Sequence, residues 1–190
     1  MRGSLSLAGP AFAVNHPPLP LPYNPPMDLY RGTISKRDRR AFLPQPIPEE
    51  SLRRILQAGR MTPSSKNAEP NRFIVVRSPE GKQALADLSP MARWLADAAV
   101  VIVIAQVNEH PFDAGRCAQN MMLAAWNDGI GSCPAHLPEE RVRELLGIPD
   151  EVFINRVIGF GYLDPERAGP PPAVARKRKQ LEELVHEERW

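Results

Sequence analysis

A chain of 190 residues with 43% hydrophobic content is long enough for one sizeable core and too short for two full domains. Its 24 cationic and 22 anionic side chains leave a net charge of +2, so the overall balance calls for neither a nucleic-acid nor a membrane partner. Two cysteines, Cys117 and Cys133, lack the spacing of a zinc site or a CxxC pair and are too few for a disulfide framework, which makes a reducing cytoplasm the expected compartment.

The first 26 residues hold seven of the 22 prolines, including the run Pro17-Pro18-Leu19-Pro20-Leu21-Pro22. They read as an extended arm, because proline propagates neither a helix nor a central strand. Ala11-Phe12-Ala13 offers a competing secretory-signal reading, but the apolar stretch before it is short and broken by Gly9 and Pro10. From Met27 to Arg37 the pattern predicts a short helix, with Asp28 near its start and Leu29, Tyr30, Thr33 and Ile34 on a mixed apolar face. Pro44, Pro46 and Pro48 impose an extended connection. Pro48 then opens a helix with Glu49 and Glu50 in its first turn, Leu52, Ile55 and Leu56 facing the core, and Gly59 near its end.

A strand is expected over Arg72 to Val76, a helix over Glu80 to Leu88 and a strand over 100–107. The apolar run Ala98 to Ala105 falls far below the roughly 20 residues of a membrane helix and reads as a buried strand. A long helix follows from about Phe112 to Asn127, apolar on most sides, with Gly129 suited to its C-terminal stop. Pro138-Glu139-Glu140 opens another helix, closed by Leu145-Leu146-Gly147, and Val152 to Tyr162 gives a strand interrupted at Gly159 and Gly161. There is no internal repeat. Paired helices and few strands predict an α+β sandwich rather than a regular βαβ series, with the long helix as its core. The expected organisation is an arm over 1–26 and one domain over 27–190.

Four segments carry candidate chemistry. Lys36-Arg37-Asp38-Arg39-Arg40-Ala41-Phe42 gathers four cations around one carboxylate, and each charge-assisted hydrogen bond such cations make is worth about 1.5–3 kcal/mol. A solvated basic helix end is the alternative. Thr62-Pro63-Ser64-Ser65-Lys66-Asn67 is rich in short hydroxyl and amide groups suited to a flat polar ring, or is an ordinary polar turn. In Gly129-Ile130-Gly131-Ser132-Cys133-Pro134-Ala135-His136-Leu137, His136 invites a general-acid role and Cys133 a nucleophilic one; the competing readings are an exposed loop histidine and a packing thiol. Arg176-Lys177-Arg178-Lys179 precedes an acidic stretch and makes a poor nucleic-acid patch. The sequence shows no Ser-His-Asp set, metal-ligand cluster or GxGxxG, and no metal is expected.

Together these segments resemble the nitroreductase family of FMN-dependent NAD(P)H oxidoreductases, from about Met27 to Trp190. Lys36-Arg37-Asp38-x-Arg40-x-Phe42 is similar to the family's Arg-Arg-Ser-x-Arg-x-Phe pattern. The resemblance implies Lys36 and Arg37 on the FMN phosphate and Arg40 beside the N1 and O2 side of the flavin. Asp38 replaces the usual serine, as in a similar Arg-Arg-Asp pattern of the flavin-fragmenting enzymes of cobalamin ligand synthesis. Pro63, Ser64, Ser65 and Asn67 match the Pro-Ser-Ser-x-Asn loop that reaches the flavin from the neighbouring subunit, although Glu69-Pro70-Asn71 stands where the family usually has Gln-Pro-Trp. Pro134, Ala135, His136 and Leu137 fall in a loop whose backbone amides face the flavin N5. The C-terminal run is similar to an Arg-Lys-Pro-Leu-Glu-Glu-x-Val-His ending, which returns Arg178 first and Arg176 second to the phosphate. Arg93 occupies a place where some members put a cation on the flavin pyrimidine.

The family likeness implies a nitroreductase-like three-layer sandwich, a central and mostly antiparallel sheet flanked by helices, in a domain-swapped homodimer with FMN at the subunit interface. The proline arm and residues 164–175 suit such an exchange. Hydride from NADH or NADPH would pass through FMN to an electron-poor acceptor such as a nitroaromatic or quinone, in ping-pong order. The short Asn108-Glu109-His110-Pro111 connection leaves little room for a substrate lid, so an open pocket is expected. Two other readings share the fold: flavin-fragmenting, dehalogenating or dehydrogenating chemistry, and a non-catalytic FMN-binding module.

Overall fold

A computed structural model describes residues 28–167 and 178–190. The expected arm 1–26, residues 168–175 and Arg176 lie outside the described residues. Helix α1 spans Leu29–Ser35, started by the Asp28 carboxylate accepting from the Tyr30 N–H at 3.2 Å. Helix α2 spans Glu49–Arg60 behind Pro48 and buries Leu52, Ile55 and Gly59. Strand β1 (Asn71–Val76) leads to α3 (Pro79–Asp87), whose first turn is capped by Ser78. A 3-10 helix over Pro90–Asp97 follows, which the sequence pattern did not indicate. The remaining elements are β2 (Val100–Gln106), α4 (Pro111–Asn127), β3 (Ile130–Ala135), α5 (Glu139–Leu146) and β4 (Phe153–Tyr162).

The four strands form one antiparallel sheet in the order β1-β2-β4-β3. Strand β2 is buried along its whole length, and side-chain alternation divides it between two hydrophobic clusters. Val100, Ile102 and Ile104 pack with Leu52 and Ile55 of α2 and with Cys117, Met121 and Ala125 of α4. Val101 and Val103 pack with Leu85 of α3, Leu95 of the 3-10 helix and Val142 of α5. The result is three layers, helices on both faces of the sheet. The long helix α4 therefore forms one outer layer, and the sheet lies at the centre, not the helix.

Two local expectations change in the structure. Ile130–Ala135, expected as a loop, is strand β3, paired from Ile130 opposite Tyr162 to Ala135 opposite Val157. Its glycine, serine and proline read locally as a turn, but β4 supplies a partner and tertiary pairing overrides the local preference; Pro134 is tolerated because β3 is an edge strand. Gly159 and Gly161 do not interrupt β4. A Cβ at Gly159 would lie 2.6 Å from Cζ3 of Trp94, and one at Gly161 2.9 Å from Cδ1 of Phe42. The two glycines are seats for aromatic rings lying on the sheet. Among the described residues no helix is long and apolar enough to cross a membrane.

Candidate functional site

The C-terminal turn of α1 delivers the chain to the sheet edge. Asp38 bridges to Ser132 of β3, the Arg39 N–H donates to the Ser132 carbonyl at 3.0 Å, and Phe42 bridges to Leu163 beyond β4. This pins residues 38–42 as an extended segment and aims the side chains before it at α4. A cleft of about 520 Å³ opens there, lined by Thr33, Ile34, Lys36, Arg37, Asp38, Gln119 and Arg178. Three cations, drawn from both ends of the described chain, converge on it as donors that fit a phosphate dianion, together with the Asp38 carboxylate, which can only accept.

The cations differ in how they are held. The Lys36 side chain is only 6% exposed, its stem running against α4 so that Nζ lies 3.3 Å from Sδ of Met122 and pairs with the Asp38 carboxylate. Arg37 donates through Nη1 to the carbonyls of Ile34 at 2.7 Å and Lys36 at 2.8 Å, which orients its guanidinium. Arg178 is exposed at the rim. Arg40 points elsewhere: its Nε–H donates to Cys133 Sγ at 3.4 Å and its guanidinium carbon sits 5.9 Å from the Trp94 ring. Burial pushes the Cys133 thiol up from its ordinary range, with the Arg40 hydrogen bond opposing it, so Cys133 is a buried thiol and not an activated nucleophile.

The Pro63–Asn67 segment is built onto the other end of α4. The Ser65 N–H donates to Oδ2 of the buried Asp113 at 3.0 Å, Ser64 Oγ accepts from the Glu69 N–H at 2.9 Å, and Thr62 Oγ1 accepts from Asn120 Nδ2 at 3.0 Å. These anchors hold Lys66, Asn67 and Glu69 at φ of 53°, 52° and 47°, an uncommon region for residues with a Cβ. Pro63, Ser65 and Asn67 are exposed. Asp113 and Met122 are nine positions apart on α4, or about 13 Å along the axis at 1.5 Å per residue. The basic segment and the Ser/Asn loop of one chain thus occupy opposite ends of the same helix, and Gln119 links the basic cleft to a second one of about 580 Å³ lined by Pro111, Phe112, Gly115, Arg116 and Asn120.

Ala135, His136 and Leu137 line a separate small cavity of about 170 Å³ beside α5, and Leu137 is buried in the core. Pro134 sits within β3, and the exposed Arg93 is on the 3-10 helix, where its neighbour Trp94 carries the contact to Arg40. Asn71 has a structural use, since its Oδ1 accepts from Nε2 of the buried Gln106 at 2.8 Å and closes the β1–β2 end. Gln119, Asp113 and Trp94 escaped the sequence reading. The polar spacing Arg116, Gln119, Asn120 on an otherwise apolar helix was a signal for Gln119, whereas Asp113 and Trp94 gain their roles only from contacts distant in sequence.

A model of the nitroreductase family matches residues 34–92 and 90–162. A relative from Archaeoglobus fulgidus, whose given name pairs NADH dehydrogenase with NAD(P)H nitroreductase, is 31% identical over 146 residues, covering 70% of this chain and 84% of its own. The NADH dehydrogenase of Thermus thermophilus is 29% identical over 189 residues, covering 77% and 91%. Among solved structures, the FMN-dependent nitroreductase of Clostridium difficile R20291 superposes with a TM-score of 0.72 at 25% identity, covering 84% of this chain and 99% of that one.

Proposed function

The chain belongs to the nitroreductase family, and from that premise we propose that it is an FMN-dependent oxidoreductase that carries two electrons from NADH or NADPH to an electron-poor acceptor. The observation that carries this reading is the convergence of Lys36, Arg37 and Arg178 on one cleft from segments 141 residues apart, Arg37 to Arg178. A cluster of this kind on a near-neutral protein has little use unless an anion fills it. Bound FMN would supply hydride acceptance and two-electron delivery. The chain's own tasks are binding, orientation and electrostatic tuning. Lys36 and Arg37 hold the phosphate from the α1 side and Arg178 closes over it, with Arg176 as a second tail cation. Arg40, steadied by Trp94 and Cys133, is the cation for the flavin ring.

The site needs a second copy. The Ser64–Asn67 loop lies at the far end of α4 from the cations, and an antiparallel partner helix would bring one chain's loop to the other chain's cleft. Support comes from apolar surface left open in the single chain. Leu29, Tyr30 and Ile34 of α1, Phe112 of α4, and Leu181, Leu184, Val185 and Trp190 of the tail are all exposed. The tail residues 178–190 are exposed throughout, as expected of an arm that packs on a partner. Backbone groups of Pro134–Leu137 and the cation of Arg93 complete the proposed cofactor surroundings, and the free thiols accord with a cytoplasmic setting.

The test is a visible spectrum of the purified protein, an FMN titration and anaerobic addition of NADPH or NADH. A flavin spectrum that bleaches supports the reading, and a protein that neither carries nor takes up FMN ends it. Arg178→Ala should weaken FMN binding by about ten- to a hundred-fold, the loss of one charge-assisted bond. Unchanged affinity would remove Arg178 from the site.

A further inference from the structure

Asp38 is an anion standing inside a site for anions. Its carboxylate pairs with Lys36, and the two line the basic cleft together with Arg37 and Arg178. The Lys36 side chain is almost withdrawn from solvent and, besides Asp38, meets Met122 Sδ among the described residues, whereas the Asp38 side chain is 56% exposed. The pairing is not an accident of a wandering surface residue, because the Asp38 backbone is fixed by its bridge to Ser132 on the β3 edge. A phosphate entering the cleft therefore finds its most buried cation already neutralised.

We propose that Asp38 is an internal counter-ion of the cofactor site: it holds Lys36 in the cofactor-free chain and must release it when the FMN phosphate enters, so it lowers FMN affinity and keeps FMN exchangeable. The inference rests on the reading that this cleft takes the FMN phosphate. Binding exchanges one ion pair for another, so the net gain from Lys36 is the difference between its bond to phosphate and its bond to a carboxylate. A positioning role for Asp38 predicts the opposite sign.

The experiment is an FMN titration of the full-length protein by flavin fluorescence quenching, with Asp38→Asn and Asp38→Ser made in the parent and in a Lys36→Met background. Asp38 is largely solvent-exposed, and a circular dichroism spectrum and melt confirm that each variant is folded. Either substitution should lower the FMN Kd by roughly tenfold in the parent, the weight of one charge-assisted bond, and speed of FMN release should fall accordingly. In the Lys36→Met background the same change should move Kd by less than about twofold, because the released cation is gone. An unchanged or raised Kd in Asp38→Asn overturns the proposal in favour of a positioning role. An equal gain in both backgrounds also overturns it, since that is plain repulsion between Asp38 and the phosphate. Failure of the cofactor reading looks different: neither parent nor variants bind FMN, whereas failure of the counter-ion alone leaves FMN bound and still weakened by Arg178→Ala.

Discussion

Removing the Asp113 carboxylate tests whether α4 holds the Ser/Asn loop in its working shape. Asp113 lies in the first turn of α4, is 5% exposed, accepts the Ser65 N–H at 3.0 Å and lies 3.5 Å from Nη1 of Arg116. A hydrogen bond to a charged acceptor contributes about 1.5–3 kcal/mol, and a carboxylate at a helix N-terminus adds about 0.3–1 kcal/mol. Arg116 is partly exposed, so that ion pair adds less than about 1 kcal/mol. Asp113→Ala should therefore destabilise the protein by about 2–4 kcal/mol, a drop of roughly 4–16 °C in Tm for a chain of this length. Asp113→Asn keeps an oxygen that accepts from Ser65 and should lose about half as much. The Asp113 bond is one of the anchors that hold three non-glycine residues at positive φ, so the Ala variant should also bind FMN several-fold more weakly than the Asn variant. Thermal melts and FMN titrations on the three proteins decide the matter. An Ala variant melting within about 1 °C of the parent, or an Asn variant falling as far as Ala, would refute the anchoring role.

At Gly161 a Cβ would meet Phe42 at 2.9 Å, so Gly161→Ala should cost about 1–3 kcal/mol in urea unfolding by lifting the ring off the sheet, and a neutral result would show that Phe42 is free to shift. Burial pushes the Cys117 thiol up to about 11 and raises that of Cys133, so neither should react with a thiol reagent at pH 8 in the folded protein, and both should in denaturant. The sign for stability follows from the raised value. The folded state keeps the Cys117 proton that the unfolded state releases above its usual 9.0, so this contribution is full below pH 9 and is lost as pH rises towards 11. Stability that rises between pH 9 and 11 would contradict it. Sedimentation at micromolar concentration should give twice the chain mass, and a monomer that still binds FMN would refute the two-copy site.

The α-helices, strands β1, β2 and β4, and the basic and Ser/Asn segments were legible in the sequence because each is written in local chemistry. Asp28 and Pro48 mark helix starts, Gly129 and Gly147 at φ of 72° and 62° mark stops, and a short unbroken apolar run such as Val100 to Ala105, rich in β-branched residues, suits a buried strand. The sequence by itself also determined that cations cluster at Lys36–Arg40 and again near Arg178, since charge belongs to the residues wherever the fold puts them. Tertiary structure alone decided the rest. It made Ile130–Ala135 a strand by giving it β4 as a partner, turned Gly159 and Gly161 from breaks into ring seats, and set Asp113 under Ser65 across 48 residues of chain. It brought Arg178 to Lys36 while holding the Ser/Asn loop at the opposite end of α4. Contacts between distant segments follow from how layers pack over a sheet, and no local pattern encodes which ends of a helix two loops will reach.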